Sequence, residues 1–189
     1  MDILENTRQQ LDEIYLPLEK QHGIDGMRLL PQTGGGTTPE QAQAALGVRF
    51  PPCFAEAVKR YDFGNFETNN ISFGRQGDYL GELVALNTPD EWGGKWWQGE
   101  TRPDGLIVFA VSDPYTYILD CRGGAVYAML SDDEWGRWRT VSHDFAVFMH
   151  AMAAIAAARM QNIPPQSLIA GIQAANRSSE TGFWQEATG

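Results

Sequence analysis

A protein that combines helices with an antiparallel sheet is what this sequence predicts, and two observations carry the expectation. Residues 106–130 hold three consecutive strand signals separated by two turn signals, and on either side of them apolar residues recur at helical spacing. Residues 106–111 are an unbroken apolar run of six, which suits a strand buried on both faces. Ser112-Asp113-Pro114 punctuates it, and residues 115–121 return to an aromatic and β-branched pattern. Arg122-Gly123-Gly124 then supplies residues that tolerate positive φ before residues 125–130 form the third strand. Turns this short join antiparallel neighbours, so the stretch reads as a β-meander.

Around the meander the chain falls into three parts: an N-terminal helical extension with a Gly-rich joint (1–35), a main domain (36–160), and a short helix with a polar tail (161–189). Residues 2–20 place Leu4, Leu11, Ile14, Tyr15 and Leu18 near a helical period, with Asp2 and Glu5 in a capping-box arrangement. Pro17 is expected to kink that helix or end it early. Thr38-Pro39-Glu40-Gln41 is a helix start, with threonine as cap, proline at the first position and glutamine three residues after the cap. Gly47 ends that helix and Pro51-Pro52 opens another, in which Phe54, Ala57, Val58 and Tyr61 share a face. Residues 63–66 read as a turn, and residues 70–73 and 82–86 as strands. After the meander, residues 137–141 read as a last strand, and Ser142 as the cap of a long helix through Phe145, Phe148, Met149, Met152 and Ile155. Pro164-Pro165 ends it, and Leu168, Ile169 and Ile172 mark one more short helix.

The net charge of -10 and pI near 4.6 argue against direct binding of nucleic acid or anionic lipid and in favour of basic partners. Cys53 and Cys121 lie far apart with no zinc-ligand spacing, so they read as reduced, buried thiols. The first residues carry acids and no signal-peptide pattern, and no apolar run is long enough to span a bilayer, so the chain is expected in the cytosol.

Three stretches invite a chemical reading. Ser142-His143-Asp144 and Asp120-Cys121 hold catalytic residue types, yet neighbours on one segment do not face each other as a triad must. Ser142 and Asp144 are accounted for by capping, and His143 and His150 lie too far apart on a helix for a metal pair. Gly34-Gly35-Gly36-Thr37-Thr38 before a helix has the look of a phosphate loop but lacks its lysine and its preceding strand, so it reads as a linker. Asp120 is expected to bond turn amides. No catalytic residue, cofactor or metal is expected.

The order of elements and three groups of residues resemble the SUKH superfamily, the Smi/Knr-type proteins. Residues 45–51 with Phe54 and Tyr61 are similar to its entry into the second helix. Leu106 to Phe109 with Asp113, Tyr117, Leu119-Asp120, Gly124 and Val126-Tyr127 are similar to its meander, and residues 142–149 to its closing helix. The resemblance covers residues 36–160 and implies an α+β fold in which helices cover a curved antiparallel sheet. It further implies a non-enzymatic immunity protein that binds and occludes a bacterial toxin, often a nuclease or deaminase. A basic nucleic-acid-processing enzyme is a partner that the acidity independently favours.

An interface is expected on the connection of residues 87–105 and the acidic turn after the meander, at Trp92, Trp96, Trp97, Asp132, Asp133, Glu134 and Trp135. Tryptophan removes a large area from water at little rotamer cost. If all three loop tryptophans, Trp92, Trp96 and Trp97, are instead buried as a lid, the expected interface moves to the open face of the sheet. Two other readings remain at this stage: a regulatory scaffold of the same fold that docks through the helices at 2–20 and 165–176, and a hydrolase using Cys121 or His143.

Overall fold

The computed structural model describes residues 2–89, 95–130, 133 and 136–188. Eight strands and seven α-helices are found among them: α1 (Ile3–His22), β1 (Leu30–Pro31), α2 (Pro39–Leu46), α3 (Pro52–Arg60), β2 (Tyr61–Asp62), β3 (Glu67–Thr68), β4 (Ile71–Ser72), α4 (Tyr79–Leu86), β5 (Leu106–Val111), β6 (Tyr115–Asp120), β7 (Val126–Leu130), β8 (Arg139–Ser142), α5 (Phe145–Met160), α6 (Ile169–Asn176) and α7 (Thr181–Thr188). This is an α+β fold. Strands β3 to β8 form one antiparallel sheet in which every neighbour in sequence is also a neighbour in space, and β1 pairs separately with β2. The meander takes the expected place at the centre, with Ile107 opposite Leu119 and Leu119 opposite Val126.

The inner face of the sheet is closed by rings. Phe54 of α3 meets Phe145 of α5 edge to face at 4.9 Å between centroids, and Phe109 of β5 meets Phe145 at 5.5 Å. The register of β5 on β6 shifts between Val108 and Ala110, so Phe109 and Ala110 are both buried at 0 % exposure instead of alternating between faces. Helix α5 lies between this core and α1, which is why 11 of its 16 residues are buried and it shows no polar face. The N-terminal helix is therefore packed: Leu4, Thr7 and Leu11 are buried on α1, and the Thr7 hydroxyl lies 3.3 Å from His150 Nδ1 on α5. Pro17 neither ends nor replaces α1, which runs on to His22; Pro17 and Glu13, whose carbonyl loses its donor, both face solvent, where water can serve that carbonyl.

Three expectations are corrected. Residues 82–86 are helical, within α4, because the Asp78 carboxylate accepts from the Gly81 amide at 3.1 Å and caps a helix that buries Tyr79, Leu80 and Leu83. A short apolar run satisfies either period, and here the cap decides. Ser142 ends β8, and the cap of α5 is Asp144, whose Oδ1 accepts from the amides of Ala146 at 2.8 Å and Val147 at 3.2 Å. The polar tail contains α7, which sends Phe183 and Trp184 into the core at 1 % and 0 % exposure. Eight residues with two adjacent rings carry too little periodicity to announce a helix.

Trp184→Ala should then cost about 3–5 kcal/mol, as removal of a buried ring does. A loss within about 0.5 kcal/mol in urea denaturation, the size expected of a tail substitution, would show that α7 is not part of the core.

Candidate protein-binding face

Strand β4 reaches β5 only at Ser72 opposite Val111. Below that point the outer edge of β5 has no strand beside it, and its backbone groups need other partners. Side chains supply them. Arg102 Nη1 donates to the Leu106 carbonyl at 2.7 Å, and the Tyr79 hydroxyl donates to the Phe109 carbonyl at 2.9 Å. Asn87, the C-cap of α4, donates through Nδ2 to the Val108 carbonyl at 2.7 Å and accepts at Oδ1 from the Val108 amide at 2.8 Å. The same Nδ2 donates to the Leu83 carbonyl at 2.8 Å, and the same Oδ1 accepts from Trp96 Nε1 at 3.0 Å. Asn87 is 4 % exposed, and both its donors and both its acceptor positions are used.

That last bond sets Trp96 against the outer face of the sheet. A row runs across four strands there: Val108 opposite Ile118, Ile118 opposite Tyr127, and Tyr127 opposite Thr140. Beside it, Leu106 stands opposite Asp120, and Val111 opposite Thr116, which stands opposite Met129. Leu106, Val108 and Ile118 are buried as a small second cluster, while Trp96, Val111, Tyr127, Met129 and Trp138 pack on it half-buried. The rings of Tyr127 and Trp138 stack at 6.3 Å with 29° between planes. Burial, and then the nearby charge of Asp120, raises the Tyr127 phenol above its ordinary pKa, so it is a hydrogen-bond donor at neutral pH. Arg122 stands 3.7 Å from Asp120 and 3.8 Å from Asp104, and Arg139 stands 3.4 Å from Asp133.

Of the residues expected at an interface, Trp96 and Trp97 come together, their rings 5.6 Å apart at 81°. Trp96 lies on the outer face. Trp97 is 4 % exposed, so its ring is not offered to a partner in this arrangement. Asp133 is half-buried and paired with Arg139. Trp92, Asp132, Glu134 and Trp135 lie outside the described residues. Tyr127, Met129 and Trp138 were missed, although the period of two in β6 and β7 does place Thr116, Ile118, Tyr127 and Met129 on one face.

The other chemical candidates are held in structural bonds. The Ser142 hydroxyl donates to the Asp144 carbonyl at 2.9 Å, and His143 Nδ1 lies 3.2 Å from the Asn176 carbonyl. Burial pushes the Cys121 thiol up to about 12. Burial, followed by the Asp144 carboxylate, pushes Cys53 up to about 11, so neither thiolate is available at neutral pH. No group of three or more metal-ligating side chains occurs among the described residues. As expected, the Asp120 carboxylate accepts from a turn amide, that of Arg122, at 2.9 Å.

The Gly-rich loop before α2 does receive an anion, and it is the chain's own. Asp78 accepts from the Thr37 amide at 3.0 Å and the Thr37 hydroxyl at 2.8 Å, as well as from Gly81. A Cβ at Gly36, where φ is +75°, would stand 2.8 Å from the Asp78 carboxylate, so glycine is required for this approach. Burial works to raise the Asp78 pKa, but the bonds from the Thr37 hydroxyl, the Thr37 amide and the Gly81 amide outweigh it and hold the carboxyl below its ordinary 3.8.

No protein-family model, curated protein or solved structure matches the chain.

A carboxyl with a lowered folded pKa contributes stability that is present above its ordinary value and is lost as pH falls through the lowered one. Asp78→Ala should therefore cost about 1–2 kcal/mol at pH 7, with the gap from the parent protein narrowing below pH 3.8 in thermal melts. A gap that stays constant down to pH 2 would contradict this assignment.

Proposed function

We propose that this chain is a SUKH-type immunity protein, acting in the cytosol, that binds a basic bacterial toxin through the outer face of its sheet and occludes it. The nucleic-acid-acting toxins, nucleases and deaminases, are the favoured class. The observation that carries the reading is a half-exposed aromatic patch, Trp96, Tyr127 and Trp138, on a face of the sheet that no described helix covers. Tyrosine and tryptophan on a rigid strand platform are the residues that dominate binding energy at protein interfaces.

Charge supports the same reading. Residues 87–135, which include strands β5 to β7, hold nine acidic against three basic residues, six of the ten net negative charges. Acidity of that degree speeds encounter with a basic partner and selects against acidic ones. Size matters as well: four strands and three rows span roughly 15 Å on a side, an area on the order of a few hundred Å². A standard interface takes about 800 Å² from each partner, so the flanking connections must contribute along with the sheet. The two register shifts, at Phe109 in β5 and between Val126 and Tyr127 in β7, are the kind of irregularity that bends a sheet and agree with the curvature the SUKH resemblance implies.

The scaffold reading placed its docking arms in the terminal helices. Leu4 and Leu11 of α1, and Ile172 of α6, are instead buried in the main core, which favours the sheet face over either helix as the contact.

Co-expression with the toxin domain encoded beside this gene should give surviving cells and a stable complex. Tyr127→Ala and Trp138→Ala, both at half-exposed positions, should each weaken the complex by about 30-fold, the size of a binding hot spot. Association should also slow as salt is added. Full protection by the double variant, with wild-type affinity, would refute this surface.

A further inference from the structure

Where β6 turns toward β7, the outer face ends in a carboxylate that a cation of the same chain already attends. Asp120 shares that face with Thr116 and Ile118, standing opposite Leu106, and Ile118 stands opposite Tyr127. The Asp120 side chain is 16 % exposed, and the Arg122 side chain beside it is 66 % exposed. Arg122 lies along Gly105, where a Cβ would stand 2.8 Å from its Nε and 3.0 Å from its Cγ and Cδ. From that bed Nε reaches to 3.7 Å from Asp120 Oδ1, and Nη1 to 3.8 Å from Asp104 Oδ2. The Tyr127 phenol feels both groups: after burial, the Asp120 charge raises it further and the Arg122 charge works against that. Guanidinium, carboxylate and ring therefore meet at one corner of the aromatic patch.

The seat fits a guanidinium but holds this one loosely. Neither distance is a hydrogen bond, and the Arg122 guanidinium makes none among the described residues, where only its backbone amide donates to Asp120. Arg28 shows the contrast, donating to Glu19 at 2.6 Å and to Asp12 at 2.9 Å. An exposed ion pair without hydrogen bonds stabilises the fold little, so a second guanidinium that approaches the carboxylate more closely displaces it readily. Arginine suits the place better than lysine, because its planar group bonds a carboxylate and stacks on a ring together.

Resting on the reading of the outer face as the toxin-binding surface, we propose that Arg122 holds the place of an arginine of the toxin. On docking, the partner's guanidinium takes the Asp120 carboxylate beside the Tyr127 ring, and Arg122 swings out to solvent. Arg122 is then a residue whose loss strengthens the complex.

Affinity of the full chain for the toxin domain encoded beside the gene, measured at about 0.3 M salt to screen long-range steering, tests the exchange. Arg122→Ala should bind roughly three- to fivefold tighter, the size of an exposed ion pair that no longer has to break. Asp120→Asn should bind at least about tenfold more weakly. Lys20→Ala, an equal change of charge on the exposed side of α1, should match the parent. A probe that needs no toxin tests the seat itself: ethylguanidinium should give saturable shifts at the Gly105, Asp120 and Tyr127 amides of the ¹⁵N-labelled Arg122→Ala chain, and weaker ones in the parent. Ethylurea, similar in shape but uncharged, should give none. A parent that binds the toxin beside an Arg122→Ala chain that binds no tighter, or a Lys20→Ala chain that gains as much, would overturn the exchange and leave the toxin surface standing. Equal responses to the two probes would overturn it as well. Absence of a complex with parent and variants alike would overturn both readings.

Discussion

The side-chain amide of Asn87 is the group on which the two faces of the sheet depend. Strand β5 sits inside the sheet, yet β4 pairs with its outer edge only at Val111. Left open, that edge would bury an amide and carbonyls without partners. Asn87 answers both polar groups of Val108 as a neighbouring strand would, and does so from the end of a helix. Tyr79 and Arg102 close the positions on either side. Helix α4 and the connection that follows it can then lie where a strand would otherwise stand. Through its remaining acceptor position Asn87 also fixes Trp96 on the outer face.

This arrangement links packing to function. The inner face is filled by rings from α3, β5 and α5, and α1 covers the far side of α5, so among the described residues the helices pack on one side of the sheet. The opposite face keeps only a small buried cluster under half-exposed aromatics. The strands beneath such a surface are already packed, so a partner that docks on them does not have to order them. The acid-rich segments around it add selectivity and encounter rate for a basic partner.

Much of this was legible in the sequence where one local signal pointed one way. The meander could be read because an apolar run, an Asp-Pro break and an Arg-Gly-Gly turn all agree. Helix α2 could be read because Thr38, Pro39 and Gln41 form a complete start signal, and the structure shows the reciprocal capping box. Helix α4 could not, since Leu83 and Val84 fit a strand equally well and the deciding bonds come from Asp78, whose carboxylate also serves Thr37, 41 residues away. Helix α7 was hidden for a related reason: Phe183 and Trp184 find their partners in Tyr115, Tyr117 and Phe148 only once the chain has closed. At the candidate site, residue type correctly singled out Trp96. Sequence gave no sign that Trp97 turns inward or that Trp138 stacks on Tyr127, because both depend on the path of a connection rather than on a local pattern.

Hydrogen exchange at two protons tests the central arrangement most directly: the Val108 amide and the Trp96 indole N–H, in the parent protein and in Asn87→Ala. The account predicts that both are protected in the parent and both released in the variant, while the Ile107 amide, paired with β6, stays slow. An indole proton that exchanges at the same rate with and without Asn87 would contradict the account, because it would separate the closure of β5 from the placement of the aromatic face.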